Sequence, residues 1–211
     1  SLTSVNIPKS VQVIGACAFS GTPLSEVTFG EDSELLLIGD TAFGKTLFLK
    51  NIVLPEKLQV IGAHAFLNSG LTTVTIPASV YDLGIGPFAD CDDLTEIKVA
   101  DGNAFYKDID GVVYTLDEKT LVEYPAGKNG STYNVPEGDE VIGIEAFYGS
   151  DILNYVYLPQ TLVNISEGAF YSCTELRSMT IPDSVLQIGR LAFSEDWKLS
   201  SVYISDNTKM A

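Results

Sequence analysis

Histidine, cysteine and positive charge are all scarce in this chain. Its single histidine, His64, leaves no partner for a histidine-based triad or a two-histidine metal site. Three cysteines, Cys17, Cys91 and Cys173, are too few and too scattered for a disulfide framework or a C-x-x-C metal site. Cys91 and Cys173 are read three coils apart, roughly 14 Å at strand spacing, well beyond disulfide reach. All three are expected to be free thiols. Twelve lysines and arginines stand against 28 acidic residues, a net charge of −16 that repels phosphate backbones and anionic lipid headgroups. Nucleic acid and membrane insertion are therefore set aside. No apolar run approaches the ~18 residues of a membrane helix, and no signal peptide opens the chain. The G-x-S-x-G, H-E-x-x-H, G-x-G-x-x-G and P-loop patterns are absent as well.

What is present is repetition. LNYVYLPQTLVNISEGAF, from Leu153 to Phe170, recurs as LRSMTIPDSVLQIGRLAF, from Leu176 to Phe193, at an offset of 23 residues. A fixed period of this size marks a solenoid, in which each unit buries its apolar face only by stacking on its neighbours. With 45% hydrophobic residues the chain can fill a continuous core, and it reads as one domain over residues 1–211. The pattern is already running at Leu2 and stops soon after a half-repeat. The chain therefore reads as a processed form or a piece of a longer protein.

The first half-repeat occurs nine times, beginning at Leu2, Leu24, Leu49, Leu71, Leu94, Gly130 (degenerate), Leu153, Leu176 and Leu199. In each copy the fourth and sixth residues are apolar or aromatic and the third and fifth are mostly polar. Period-2 alternation predicts a short strand, one per coil, stacked in parallel. Prolines 8, 55, 77, 136, 159 and 182 follow these strands, where a missing amide donor is expected to matter least. The second half-repeat, I-G-x-x-A-F in outline, occurs seven times and predicts an extended segment followed by one helical or 3₁₀ turn. Its phenylalanines, 19, 43, 66, 88, 147, 170 and 193, should stack as an aromatic spine.

The spine has one gap, 59 residues between Phe88 and Phe147. There the copy at Leu94 loses its second half, and Asp101 to Asn129 stands in its place. GVVYT and TLVEYP around the turn-like LDEK predict a β-hairpin projecting from one oversized coil. Tyr106, Tyr114 and Tyr124 are its candidates for packing on adjacent coils.

The unit L-x-x-V-x-I-P-x-S-V-x-x-I-G-x-x-A-F-x-x-C is carried by Leu71 to Phe88 with Cys91 and by Leu153 to Phe170 with Cys173. It resembles the BspA-type leucine-rich repeat, and IDGVVY…LVEYPAGK resembles a piece that recurs within arrays of that family. The resemblance implies a bacterial cell-surface or secreted protein that adheres to host proteins or other cells. Gly30 and Ala100 at the corner proline, Ser166 for glycine and Pro87 for alanine depart from the unit and are expected to disturb single corners only.

Catalytic and metal-binding readings are weak at every candidate. His64 shares its repeat slot with Cys17, Thr41, Gly86, Glu145, Gly168 and Leu191, a variability that suits a solvent-facing rim. Asp108-Ile109-Asp110-Gly111 lacks the third alternating ligand of a calcium loop and reads as a turn entering the hairpin. Asp90, Asp92 and Asp93, like Glu137, Asp139 and Glu140, read as solvated corners. Glu26 and Glu96 share an outward column but lie about 14 Å apart by strand spacing, too far for a glycosidase pair. No catalytic, cofactor-binding or metal-binding residue is assigned, and no cofactor is expected.

The expected fold is an α/β, strand-rich, right-handed parallel solenoid of about nine coils, with short 3₁₀ turns and a β-hairpin insertion at 101–129. Leu2, Val5 and Ile7 at one end, and Val202 and Ile204 at the other, are the expected exposed apolar ends. Most outward strand positions hold small polar residues. Tyr155, Tyr157 and Tyr203 break that pattern, and tyrosine combines a rigid apolar face with a hydroxyl at low entropic cost. These three are the candidate contact surface for a protein partner, with a glycan as the other class. The alternative is a bare spacer presenting neighbouring domains.

Overall fold

The computed structural model describes residues 2–204. Its N-terminal half contains β1 (Ser4–Ile7), β2 (Val13–Ile14), β3 (Glu26–Phe29), β4 (Leu37–Ile38), β5 (Val60–Ile61), β6 (Thr73–Ile76), β7 (Asp82–Leu83) and β8 (Glu96–Val99). The inserted segment adds β9 (Tyr106–Ile109), β10 (Val112–Thr115) and β11 (Thr120–Glu123). The C-terminal half contains β12 (Thr132–Asn134), β13 (Val141–Ile142), β14 (Tyr155–Tyr157), β15 (Asn164–Ile165), β16 (Ser178–Ile181), β17 (Gln187–Ile188) and β18 (Ser201–Ile204). The longer strands stack in parallel as β1-β3, β6-β8 and β12-β14-β16-β18. The two-residue strands form a second face, β2-β4-β5-β7 and β13-β15-β17, the latter extended by the four-residue β11. Alternation decides which side chains enter the core: along β6, Thr73 and Thr75 are exposed while Val74 and Ile76 are buried.

Every regular element among the described residues is a strand, so the α/β class gives way to an all-β solenoid. The reason lies in the variable slot of the second half-repeat. Cys17, Thr41, His64, Gly86, Glu145, Gly168 and Leu191 all have φ between 47° and 60°. The amide one residue later closes an i to i+3 hydrogen bond, as from Ala18 to Gly15 O and from Ala42 to Gly39 O. A left-handed third residue with that bond is a type II turn, and a left-handed residue once per coil stops any helix from propagating. The slot is therefore constrained in backbone although it is free in side chain.

The phenylalanines stack as expected within each half. Ring centroids are 5.3, 5.3 and 5.4 Å apart along Phe19, Phe43, Phe66 and Phe88, and 4.8 and 5.4 Å apart along Phe147, Phe170 and Phe193. Tyr124 extends the C-terminal stack into the gap: it stacks on Phe147 at 4.9 Å, and its amide donates to Ala146 O just as that of Phe147 donates to Ala169 O. The repeat cysteines also find a role. Cys91 Sγ donates to Phe66 O and Cys173 Sγ to Phe147 O, both at 3.1 Å, and both thiols are free and buried, whereas Cys17 is free and exposed.

The insertion is not a projecting hairpin but three strands built into the core. β9 and β10 are antiparallel around the left-handed pair Asp110 and Gly111, the turn chemistry that an Asp-Gly step favours. β10 pairs antiparallel with β11, and β11 continues the second face by pairing in parallel with β13. Val112, Val113 and Tyr114 are fully buried. Val113 belongs to the N-terminal core cluster, while Val112, Tyr114 and Tyr124 belong to the C-terminal one.

Three side chains of the insertion accept amides that the interrupted ladders leave over. The Leu83 amide donates to the Tyr106 hydroxyl at 3.2 Å, that of Val99 to Asp108 Oδ1 at 2.8 Å, and that of Phe88 to Glu123 Oε1 at 3.2 Å. Buried amides must find acceptors, and here they find them on the inserted strands. The segment is a splice between two half-solenoids.

Eight of the nine strand copies form strands; the copy at Leu49 does not. The connection leading into that coil is longer, nine positions from Phe29 to Ile38 against seven from Ile7 to Ile14. Gly30 and Ala100, the two departures from proline, donate their amides to Ile7 O and Ile76 O at 2.9 Å, and β3 and β8 are paired along four residues. A proline at that corner offers no such donor. At the ends, Leu2 and Ile204 are exposed while Ile7 is buried. Ser205, the last residue of the ninth copy, lies outside the described residues.

Candidate partner-binding face

The three tyrosines stand on the longer-strand face. Tyr155 and Tyr157 are two apart on β14 and point to the same side, because alternate residues share a face and Val156 between them is buried. Tyr203 is on β18, opposite Thr180 of β16. Between them run Ser178, which faces Tyr155 on one side and Ser201 on the other, and Thr180. Tyr155, Tyr157 and Tyr203 are 39%, 58% and 63% exposed, so all three rings stand out over a floor of small hydroxyl residues.

The size difference leaves two concavities. One of about 260 Å³ lies between β14 and β16, lined by Tyr155, Tyr157, Gln160, Ser178, Thr180 and Pro182. The other, about 500 Å³, lies between Tyr155 and Tyr203, with Arg177, Ser178, Lys198 and Ser201. Its cations are already engaged, Arg177 Nε with Asn154 Oδ1 at 3.1 Å and Lys198 with Glu175. Aromatic walls around donor and acceptor hydroxyls suit a protein surface or a sugar ring, both of which offer apolar area ringed by polar groups. The sequence placed these residues on one face, and the structure gathers them around β16.

The other sequence candidates resolve differently. Asp110 and Gly111 form the expected turn. No group of three or more metal-ligating side chains gathers among the described residues. Asp139 is 2% exposed rather than solvated, and burial raises its carboxyl to about 7. His64 lies on the rim as expected, but it has a partner: Nε2 is 2.6 Å from Glu145 Oε2, across 81 residues of sequence. Gly86 stands in the column between them, where a Cβ would lie 3.0 Å from Glu145 Oε2 and 3.3 Å from His64 Cδ2. The shared repeat slot was the signal for this pairing, since residues in one slot stack in space.

With coil, spine and face described, the repeat unit can be compared with known families. The BspA type leucine rich repeat model matches residues 1–108 and 126–211 in six copies. The chain belongs to this family. The unmatched stretch, 109–125, holds the β10-β11 hairpin of the splice. Among solved structures, this BspA-type chain is similar to a leucine-rich repeat protein from Eubacterium ventriosum, at 26% identity and a TM-score of 0.92 over 99% of its own length. It is also similar to the pneumococcal vaccine antigen PcpA, at 26% identity and a TM-score of 0.75 over 97% of its length. The chain spans 55% and 62% of those two proteins. A leucine rich cell surface protein from Faecalibacterium prausnitzii shares the fold at 22% identity, with a TM-score of 0.53 and coverage of 96% of this chain and 79% of that one. No curated protein matches the chain. The repeat family makes this a protein-interaction or structural module, and no helix among the described residues is long and apolar enough to cross a membrane.

Proposed function

We propose that this BspA-type array is a cell-surface or secreted recognition module that binds a protein partner, with a glycan as the second class, through Tyr155, Tyr157 and Tyr203. The observation that carries this reading is the contrast on one face: three exposed tyrosines surround Ser178, Thr180 and Ser201 and enclose two concavities. Such rigid amphipathic anchors around small polar positions supply most of the energy at protein interfaces. The likeness to a protein described as a cell surface protein supports the location.

The test is an array of extracellular proteins and glycans probed with the chain and with the Y155S/Y157S/Y203S variant. The variant should lose at least about 2 kcal/mol of affinity, some thirtyfold, while keeping its melting temperature. Unchanged affinity would remove the tyrosines from the interface, and no binding at all would favour the spacer.

A further inference from the structure

The strand copy that fails to pair leaves an opening in the face. Asn51 to Leu54 keep the alternation of a strand, with Ile52 and Leu54 buried and Val53 84% exposed. Yet no backbone N–H or C=O of Asn51, Ile52, Val53 or Leu54 has a hydrogen-bond partner among the described residues. The neighbouring edges are open too, since β3 pairs only with β1 and β6 only with β8. A cleft lies on each side of the unpaired segment, each about 620 Å³. One runs between β3 and Asn51–Lys57, the other between Asn51–Leu54 and β6. Both fall in the size range of ligand sites.

The coils separate only along Asn51 to Leu54, since just before this stretch the Thr72 amide still donates to Lys50 O at 3.1 Å. On the opposite side Leu37 pairs with Val60, and the Phe43 and Phe66 rings stack at 5.3 Å. Pro55 and Pro77, which end this copy and the next, carry no amide to close the ladder, and the longer connection from Phe29 to Ile38 adds slack. The result is a solenoid shut along its aromatic spine and open at one strand copy.

We propose that this opening binds an extended, basic peptide segment of a partner protein by main-chain pairing with the free edges of β3, Asn51–Leu54 or β6. Unpaired strand edges present donors and acceptors at the repeat of a β-strand, which only an extended backbone matches along their length. Charge sets the sign of the occupant. The chain carries a net charge of −16, Glu56 lines both clefts and Glu26 projects from β3, against Lys57 in the lining, while Lys9 and Asp32 pair with each other at 3.6 Å. A peptide alternating β-branched and lysine residues would set its apolar side chains inward with Ile52 and Leu54 and its charges outward, beside Glu26 and Glu56. This site is separate from the three tyrosines and does not depend on them.

The probe is acetyl-(Val-Lys)₄-amide, with a control peptide N-methylated at alternate residues, read by amide hydrogen exchange. In the free protein the amides of Asn51 to Leu54 should exchange at least tenfold faster than that of Ile97, which is bonded to Gly111 O at 3.0 Å. Saturating peptide should slow them at least tenfold, the N-methylated peptide should not, and (Val-Glu)₄ should bind at least tenfold more weakly. The P55A/P77A variant restores two corner donors and should show slow exchange without peptide and weaker peptide binding. The Y155S/Y157S/Y203S variant should respond like the parent, which keeps this result apart from the fate of the tyrosine face. Slow exchange of Asn51 to Leu54 in the free protein, no protection at about 1 mM peptide, or equal protection by the N-methylated control overturns the proposal.

Discussion

The backbone amide of Phe88 donates to Oε1 of Glu123 at 3.2 Å, although 35 positions separate the two residues. In neighbouring coils the spine amide donates to the carbonyl preceding the next ring, as from Phe66 to Pro87 O and from Phe147 to Ala169 O. Glu123 precedes Tyr124, the next spine residue, and supplies the acceptor through its side chain. The carboxyl is 2% exposed and its Oε2 has no partner among the described residues. Burial therefore holds its pKa well above the usual carboxylate range. Glu123→Gln keeps the acceptor without the ionisable group and is expected to match or exceed the parent in stability at neutral pH. Glu123→Ala strands the Phe88 amide and should cost about 1–3 kcal/mol by denaturant titration.

Stability should fall as pH rises from 5.5 to 8. Glu123, Asp139 and Asp196 are all raised by burial, the two aspartates to about 7. In that window the folded chain holds protons that the unfolded chain has released, so raising pH favours unfolding. His64 acts in the same direction, because its hydrogen bond to Glu145 raises its pKa and is strongest with the ring charged. Its contribution is complete below the ordinary histidine range and lost as pH passes the raised value. Asp117, lowered by the Thr115 hydroxyl and the Lys119 amide, opposes the trend only in strong acid. Thermal melts at pH 5.5 and 8 test this, and Asp139→Asn with Asp196→Asn should flatten the difference. A higher melting temperature at pH 8 contradicts it.

The two halves should unfold together because the insertion joins them. Tyr124 continues the C-terminal aromatic stack, Val113 sits in the N-terminal core, and Tyr106 and Asp108 accept N-terminal amides. Tyr124→Ala should cost about 3–5 kcal/mol, the range for truncating a buried aromatic ring. Deleting residues 109–125 should split one calorimetric transition into two, since arrays lose cooperativity where an interface is weakened. A single unshifted transition after the deletion would show that the halves couple without the splice.

The repeat made the coils legible because the same residues recur wherever the same contact recurs. Leu, Val, Ile and Phe positions could be read directly, and the three outward tyrosines followed from strand alternation. What stayed hidden depends on breaks in the period. Tyr124 took a phenylalanine slot without the Ala-Phe signature, since Glu123 stands where alanine usually does. The helical turn was misread because the left-handed slot shows no residue preference: cysteine, threonine, histidine and leucine all adopt it. The missing strand at Leu49 has the same alternation as its neighbours. The longer Phe29 to Ile38 connection distinguishes it, whereas its corner prolines do not, since Pro136, Pro159 and Pro182 end copies that pair.

The His64 and Glu145 pair should depend on the absence of a side chain at Gly86. The two rim residues meet at 2.6 Å over that position, where φ is +47° and a Cβ would contact both. A left-handed backbone alone does not demand glycine here, because Cys17 and Thr41 adopt φ of 57° and 56° in the same column. Space is what the glycine provides. With one histidine in the chain, its imidazole proton resonance reports the pair without ambiguity. The parent should titrate above the ordinary histidine range, and Glu145→Gln should lower that value by removing the acceptor charge. Gly86→Leu should lower it comparably by wedging the partners apart, with a strain cost of about 1–2 kcal/mol from the left-handed backbone. Thr41→Ala, in the same column but outside the pair, should leave the titration unchanged. A Gly86→Leu protein with the parental midpoint would show that the pair closes around a side chain, and that glycine is there for another reason.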